Sequence, residues 1–273
     1  MDIVCVGDCG VDHYLPGGDV FFGGITANFA RNAKQAFPAE DTIQIVSAVG
    51  GDEGAELVIS SLANTGISYH ISRLMGSTPV QYIEIQPDGE RKFVRYEEGV
   101  LRDFQFTESQ QQVIAHSDLL VAPVYLQIVG LFDELMSVPT AGQTAVDFAD
   151  FLAHPDFDLL ERHIEHVDIG FFGLSSDDNT TIAHIENLAR EHGKLFVVTL
   201  GAAGSRAYHG DVRKDCAAVP VAEIVDTTGA GDAFAAGFLS RYCHDQGIQD
   251  SLAAGAELAS LVVQRQGAVF SIL

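Results

Sequence analysis

Apolar residues recur along the chain as short continuous runs separated by stretches of helical spacing. The runs are typical of strands buried on both faces and lie at 3–6, 43–49, 119–122, 144–148, 167–172 and 195–200. Apolar spacing of three and four residues predicts helices at 24–37, 52–62, 128–137, 157–165, 178–192, 230–245 and 249–264. Because strands separated by helices form mostly parallel sheets covered on both faces, the pattern predicts an α/β fold.

Two stretches break this alternation of strands and helices. Residues 80–86 and 91–96 each alternate apolar and polar positions, and Pro-Asp-Gly-Glu at 87–90 separates them, as in a β-hairpin. Residues 13–22 would add another strand. We therefore expect a smaller group of strands beside the main sheet. It either covers a binding site or merely extends the sheet.

A glycine-rich turn runs into a helix at 226–238, where the sequence is DTTGAGDAFAAGF. Gly229 and Gly231 permit a tight turn and the close approach of a ligand. The first N–H groups of the helix have no partner inside it, and together with the helix dipole they suit a phosphate group. We expect Gly229, Ala230 and Gly231 to supply these donors.

Asp232 lies in the same turn, where a bound phosphate would repel its carboxylate. A carboxylate in this place suits a general base that takes the proton of a hydroxyl group attacking the phosphate. The structural alternative is that Asp232 only caps the helix or compensates its dipole. The dinucleotide fingerprint is excluded because Phe234 replaces its third glycine, and the absence of Gly-Lys-Ser/Thr excludes a P-loop.

The turn resembles the second signature of the ribokinase-like (PfkB) carbohydrate kinases. Three further motifs of that family have counterparts in the same order: FGGITANFA at 22–30, VGGDEG at 49–54 and VVTLGAAG at 197–204. The resemblance extends from residue 3 to about residue 269 and implies one domain over 1–273. It implies a three-layer α/β sandwich with a mostly parallel central sheet and a small β-strand lid from 13–22 and 79–97. A lid would exclude water from a phosphoryl transfer.

The resemblance also implies an acceptor site at the carboxyl ends of the first strands, consistent with where ligands bind in open α/β sheets. Asp12 would accept hydrogen bonds from two sugar hydroxyl groups, as an aspartate does in similar kinases. Gly23 and Gly24 would allow the sugar to approach closely, and Asn28 would bind a further hydroxyl group. The alternative for Asn28 is a solvated helix residue.

A nucleotide site would lie near Thr199, Gly201 and Gly204, which resemble the family's ATP contacts. The two glycines would equally form a hairpin turn into 205–208, and both interpretations can hold at once. Gly255, in the string AAGA at 253–256, resembles the small-residue wall beside adenine, although small residues on a helix also indicate tight packing.

The cation site is the part of the family pattern from which this chain departs. Asp226 begins the phosphate turn, and in similar kinases this region helps to organise a cation; an Asx turn is the alternative. Many relatives carry Asn-x-x-Glu where this chain has FGLSSDDN at 172–179, with Asp178 as the replacement for the glutamate. We still expect Mg²⁺, bound largely through water and nucleotide phosphates. Dependence on a monovalent cation stays open.

Composition limits the partners and the location of the protein. The 273 residues include 38 acidic and 15 basic ones, a formal charge of −23, which argues against binding nucleic acid or anionic membranes. Four cysteines without a Cys-x-x-Cys pair indicate reduced thiols, and the N-terminus has no basic region or cleavage pattern. We expect a cytoplasmic protein, with a homodimer through the lid as an open arrangement.

The acceptor is indicated by a resemblance within the family. Tyr96, a candidate substrate-binding residue, begins the string YEEGVLRDF at 96–104, which together with VDFAD at 146–150 resembles the fructoselysine 6-kinase branch. That branch implies ATP-dependent phosphorylation of a ketose-like sugar, with Glu97 and Glu98 attracting a cationic lysine group or simply facing water. The alternatives are a nucleoside or ribose kinase of the same fold, and a catalytically silent sugar-binding regulator.

Overall fold

The computed structural model describes residues 1–63, 65–86, 91–149 and 151–269, which form two sheets. The strands, numbered in chain order, are β1 Asp2–Val6, β2 Gly10–Leu15, β3 Val20–Gly23, β4 Thr42–Val49, β5 Ser68–Arg73, β6 Val80–Ile85, β7 Arg91–Glu97, β8 Leu119–Val124, β9 Gln143–Phe148, β10 Ile169–Gly173, β11 Leu195–Thr199, β12 Ser205–His209 and β13 Val212–Cys216. The helices are α1 Ile25–Ala36, α2 Glu53–Leu62, α3 Glu108–Ala115, α4 Val129–Met136, α5 Phe157–His163, α6 Asn179–His192, α7 Ala230–Tyr242 and α8 Ile248–Val262.

The large sheet has nine strands within the described chain, in the order β13-β12-β11-β10-β9-β8-β1-β4-β5. All its pairs from β5 to β11 are parallel, and the two pairs at one edge, β11 with β12 and β12 with β13, are antiparallel. Successive strand residues point to opposite faces. In β1, for example, Ile3 and Cys5 pack into one core and Val4 and Val6 into the other.

Helices cover both faces of the large sheet, because each of its faces is apolar. One core contains buried residues of α1, α2, α7 and α8, and the other contains buried residues of α3, α4, α5 and α6. Polar residues begin several of these helices. Asp52 accepts from the backbone N–H of Ala55 at 3.0 Å at the start of α2. The structure thus confirms the predicted three-layer sandwich with a mostly parallel central sheet.

The small sheet has the strand order β3-β2-β6-β7. Strands β6 and β7 pair antiparallel over the two segments predicted to form a hairpin, while their predicted turn at 87–90 lies outside the described residues. The predicted strand at 13–22 is two strands, β2 and β3, which also pair antiparallel. Strand β2 joins the two hairpins by pairing parallel with β6.

Two side chains connect the small sheet to the loop that precedes α7. The Tyr14 hydroxyl group on β2 donates a hydrogen bond to Asp226 Oδ2 at 2.8 Å. On β7, Arg91 Nη1 donates to the Thr227 carbonyl oxygen at 2.8 Å. The small sheet therefore lies directly beside the predicted phosphate turn.

Candidate active site

A cavity of about 870 Å³ lies between the small sheet, the carboxyl ends of the central strands and the first turn of α7. Its walls include Asp12 from β2, Arg91 from β7, Asp147 from β9, Thr199 from β11 and Asp232 from α7. The cavity is large enough for a drug-sized ligand, and it brings together residues from sequence segments more than 200 positions apart.

The loop at 226–231, which we call the anion loop, is held in a tight turn by buried contacts. Gly229 has a φ of +76°, and a Cβ atom on it would lie 2.4 Å from the carbonyl oxygen of Ala268, so only glycine fits. A Cβ on Gly231 would meet no atom within 4 Å, so space for a ligand is open beside the start of the helix. Gly229, Ala230 and Gly231 all line the cavity, and their role as phosphate donors stays a prediction.

Asp226 holds the anion loop through buried hydrogen bonds and does not line the cavity. It is fully buried, and its Oδ1 accepts from the N–H of Thr228 at 2.8 Å, which is the Asx turn considered above. Its Oδ2 accepts from the Tyr14 hydroxyl group at 2.8 Å and from the N–H of Gly267 at 2.9 Å. A direct role for Asp226 in holding a cation stays a prediction.

Asp232 is a buried carboxylic acid in the first turn of α7, with 7% of its surface exposed. Burial raises its pKa well above the usual value, and the negative charges of Asp147 and Asp8 raise it further. The positive charge of Arg91 and a hydrogen bond from Asn28 oppose this rise in the pKa. A carboxyl group whose pKa is raised holds a proton more readily, which suits general base catalysis.

Asp12 on β2 also lines the cavity, with 5% of its surface exposed. Burial, together with the charges of Asp8 and Asp226, raises its pKa to about 7, although Arg31 and Arg91 act against the rise. Asn28 also lines the cavity, and its buried Oδ1 has no hydrogen-bond partner within the described chain. An unpaired buried acceptor is costly, so a bound hydroxyl group would satisfy it.

The two glycines predicted beside the sugar have different surroundings. Gly24 lines the cavity and has a φ of +100° where it begins α1. Gly23 does not line the cavity; a Cβ on it would lie 2.2 Å from Cγ of Asp12. The missing side chain of Gly23 therefore makes room for the Asp12 carboxylate rather than for the sugar itself.

Several cavity residues were not singled out from the sequence. Tyr125 is one of them, and it lines the cavity beside Tyr96, which was a candidate from the sequence. The Tyr125 hydroxyl group donates a hydrogen bond to the Tyr96 hydroxyl oxygen at 2.9 Å. Asp8 also lines it and accepts from the N–H groups of Ile25 and Thr26, both at 3.2 Å, at the start of α1. The sequence signal for Tyr125 was its position directly after a buried strand, where parallel strands present ligand-binding residues.

The predicted nucleotide residues do not all reach the cavity. Thr199, Gly201 and Gly204 line it, and the latter two also lie in the turn between the antiparallel strands β11 and β12. Gly255 does not line it, because α7 and α8 pack closely there and a Cβ on Gly255 would lie 2.8 Å from the carbonyl oxygen of Phe234. Its neighbours on α8, Ala256 and Ala259, face the cavity instead.

Asp178 has a structural partner away from the cavity. Its Oδ1 accepts from the N–H of Thr181 at 3.2 Å and caps α6. Among the described residues, no group of three or more His, Cys, Asp or Glu side chains is placed to hold a metal ion. Metal binding by Asp178 therefore stays a prediction that has no support from neighbouring ligands.

The two glutamates expected to attract a cationic substrate are paired with arginines. Glu97 Oε1 lies 3.0 Å from Arg95 Nη2, and Glu98 forms an ion pair with Arg102 one helical turn later. Neither glutamate lines the cavity, whereas four aspartates do: Asp8, Asp12, Asp147 and Asp232. The acidic side chains that line the cavity are thus these four aspartates rather than the two glutamates.

No helix in the described part of the chain is long and apolar enough to cross a membrane.

Comparison with protein families finds a match over residues 2–273 to the model of the pfkB family of carbohydrate kinases. The chain is 29% identical to fructoselysine 6-kinase of Escherichia coli, over 97% of this chain and 98% of that one. It is 30% identical to fructosamine kinase FrlD of Bacillus subtilis, over 95% of this chain and 90% of that one.

Solved structures show the same fold. Adenosine kinase from Sinorhizobium meliloti superimposes with a TM-score of 0.81 at 21% identity, over 99% of this chain and 96% of that one. Ribokinase from Thermotoga maritima superimposes with a TM-score of 0.78 at 20% identity, over 98% of this chain and 94% of that one. The predicted ribokinase-like fold is confirmed.

Proposed function

The chain belongs to the pfkB family of carbohydrate kinases and is a phosphotransferase, and we propose that it transfers the γ-phosphate of ATP to a hydroxyl group of a fructosamine such as fructoselysine. The observation that carries the reaction is the position of Asp232. Its carboxyl group is buried at the helix N-terminus, beside the open space at Gly231.

Asp232 is the proposed general base. The acceptor hydroxyl oxygen forms a bond to the γ-phosphorus while the bond from that phosphorus to the β-phosphate oxygen breaks, and the hydroxyl proton passes to Asp232. The N–H groups of Gly229, Ala230 and Gly231 hold the phosphate oxygens as charge develops on them. Burial excludes water, which would otherwise compete as acceptor.

Asp12, Gly24, Asn28 and Tyr96 form the proposed acceptor site, with Gly23 as the support of Asp12. Carboxylate and amide oxygens accept hydrogen bonds from hydroxyl groups, which suits a polyhydroxylated ligand. Asp12 lies on β2 and Tyr96 on β7, so a sugar bound there would contact the small sheet.

The proposed ATP site contains Thr199, Gly201 and Gly204. Ala256 and Ala259 would lie beside the adenine ring, in the role that the sequence assigned to Gly255. Mg²⁺ would neutralise charge on the phosphates. Because the described residues offer no metal-ligand cluster, the ion would enter mainly on ATP phosphates and water. A monovalent cation near Asp226 and a contribution from Asp178 remain predictions.

The choice of a fructosamine rests on sequence similarity and on charge. The fructosamine kinases are about 30% identical over nearly the whole chain, whereas the solved adenosine kinase and ribokinase support the fold alone. A fructosamine carries a protonated amine, and the cavity presents Asp8, Asp12 and Asp147 to it. A nucleoside or ribose kinase, or a silent sugar-binding regulator, remains as an alternative to be tested.

Kinetics with a panel of acceptors tests the substrate. With ATP and Mg²⁺, fructoselysine should give at least about tenfold higher kcat/KM than fructose, ribose or adenosine, which corresponds to about 1.4 kcal/mol of transition-state discrimination. ADP release is the measurement. A preference for adenosine or ribose would reject the fructosamine assignment, and binding of a sugar without any ADP release would favour the regulator.

The small sheet is the proposed lid, and hydrogen exchange tests its movement. Amides in β6 and β7 should exchange more slowly when fructoselysine and a non-hydrolysable ATP analogue are bound, because closure adds contacts to a largely exposed strand. Strand β10, which is buried in the large sheet, is the control and should stay protected in both states. Equal exchange of β6 and β7 with and without ligands would show that the sheet is only an extension.

The proposal extends to assembly and location. Val20 and Phe21 are exposed apolar residues of β3, at an edge of the small sheet and outside the cavity lining, which supports a homodimer formed through that sheet. The thiols of Cys5 and Cys9 are buried and unpaired, which fits a reducing compartment such as the cytoplasm. The formal charge of −23 continues to argue against nucleic acid and anionic membranes as partners.

A further inference from the structure

The distribution of positive charge in the cavity is uneven. Of the described residues that line it, two carry a positive charge, Arg91 and Arg95, and both belong to β7 of the small sheet. The lining also holds four aspartates. A site that moves an anionic phosphoryl group needs cationic or N–H groups aimed at the charge that develops. The large sheet and its helices contribute backbone N–H groups but no cationic side chain to this lining.

The two arginines have different partners. Arg95 forms an ion pair with Glu97 at 3.0 Å and lies over the ring of Tyr82, with 4.2 Å between its Cζ and the ring centroid. Arg91 has no ion-pair partner among the residues that the structure describes, although the chain is strongly acidic. The hydrogen bonds of Arg91 are instead made with the anion loop.

Arg91 is attached to the anion loop by two hydrogen bonds. Its Nη1 donates to the Thr227 carbonyl oxygen at 2.8 Å, and its backbone N–H donates to Thr227 Oγ1 at 3.3 Å. The ring of Phe93 lies 5.0 Å from the guanidinium Cζ. A guanidinium group has five N–H donors in a fixed plane, so contact with a carbonyl oxygen is compatible with simultaneous contact with a phosphate.

The charge of Arg91 acts on both reacting sides of the cavity. It lowers the pKa of Asp12 on the acceptor side and the pKa of Asp232 at the anion loop. The guanidinium group that is hydrogen-bonded to Thr227 of the anion loop thus acts electrostatically on both carboxyl groups.

We propose that Arg91 is a catalytic residue that the small sheet supplies to the anion loop, where its guanidinium group contacts the γ-phosphoryl group during transfer. This inference rests on the proposed kinase function. It assigns the small sheet a chemical role in addition to covering the site. Turnover would require the sheet to be docked, because docking on Thr227 places the cation.

Arg91→Gln is the variant that removes the positive charge and keeps a polar side chain with an N–H donor. We expect kcat with ATP, Mg²⁺ and fructoselysine to fall roughly 10²–10³-fold, as when one stabilising donor is removed from a transition state. Arg91→Lys should recover part of this loss because it retains the charge. Lys92→Gln is the matched control, since Lys92 is the next residue on β7, is exposed and does not line the cavity.

Two further measurements separate catalysis from folding. Calorimetric titration should show that Arg91→Gln weakens binding of the magnesium complex of AMPPNP, which has a γ-phosphoryl group, about tenfold more than that of ADP. The acid limb of kcat/KM should move to higher pH, because Arg91 lowers the pKa of Asp232. Thermal unfolding identifies a variant that does not fold, in which case Arg91→Lys is compared with wild type in the same titrations.

The outcomes distinguish this inference from the proposed function. If wild type phosphorylates fructoselysine and Arg91→Gln stays within about threefold of its kcat, Arg91 is not catalytic. Equal weakening of AMPPNP and ADP binding would also overturn the inference, because the contact would not be to the γ-phosphoryl group. If wild type phosphorylates none of the acceptors, the proposed function fails, and the two nucleotide titrations still decide whether Arg91 meets the γ-phosphoryl group.

Discussion

Asp232→Asn should lower kcat roughly 10²–10⁴-fold, which is the usual contribution of a positioned general base. The carboxamide has nearly the shape of the carboxyl group but cannot accept the hydroxyl proton. Binding of fructoselysine, measured by calorimetry, should change little because Asp232 belongs to the anion loop side of the cavity. Near-normal turnover by this variant would show that Asp232 only compensates the dipole of α7.

The pH dependence of wild type gives a second test of Asp232. A base works only when deprotonated, and burial and Asp147 raise the pKa of Asp232. The value of kcat/KM should therefore rise with pH as Asp232 loses its proton. Asp147→Asn removes a negative charge, which lowers the pKa of Asp232 and should move this limb to lower pH. A limb that stays in place in Asp147→Asn, or moves to higher pH, would contradict the assignment.

Most of the fold could be predicted because the apolar pattern directly reports burial. Strand β9 at Gln143–Phe148 and helix α6 at Asn179–His192 lie where the pattern placed them. Elements with weak patterns were missed. Helix α3 at Glu108–Ala115 contains three consecutive glutamines, and the edge strand β13 at Val212–Cys216 is mostly exposed. The capping box of Thr107 and Gln110 is the local signal that could have identified α3.

The candidate site was predicted where a motif defines it and missed where distant contacts define it. Asp232 and the anion loop glycines follow from local spacing. Arg91 becomes part of the site only through Thr227, which is 136 positions away in the sequence. In the sequence, Arg91 is one of 15 basic residues, and no local feature distinguishes it from the others.

Glycines illustrate a second limit of sequence reasoning. A glycine indicates that a side chain would clash, but not whether a ligand or the protein occupies the space. At Gly23 the neighbouring atoms are those of Asp12, and at Gly255 they are those of Phe234. At Gly231 the space is open to the cavity. The same residue type thus supports a neighbouring carboxylate, a helix contact and a ligand approach at three positions.

Asp12 is a residue whose proposed function conflicts with the stability of the fold. Burial and the neighbouring charges of Asp8 and Asp226 raise its pKa to about 7 in the folded protein, against a value of 3.8 for the free side chain. Between these two values the folded state holds a proton that the unfolded state has lost. Asp12 therefore does not lower the free energy of unfolding below about pH 4, where it is protonated in both states. As pH rises to about 7, ionisation in the unfolded state lowers the free energy of unfolding by up to about 4 kcal/mol.

Asp12→Asn should separate these two roles. The KM for fructoselysine should rise about tenfold or more, because a hydrogen bond to a charged group contributes about 1.5–3 kcal/mol. In wild type the KM should also rise as pH falls through about 7, when Asp12 gains a proton, and this dependence should be absent in the variant. Thermal unfolding of the unliganded proteins should show the variant to be more stable than wild type at pH 8, with the difference shrinking toward pH 4. An unchanged KM would place the acceptor elsewhere in the cavity. A stability difference that grows toward low pH would show that burial does not raise the pKa of Asp12 in the folded protein.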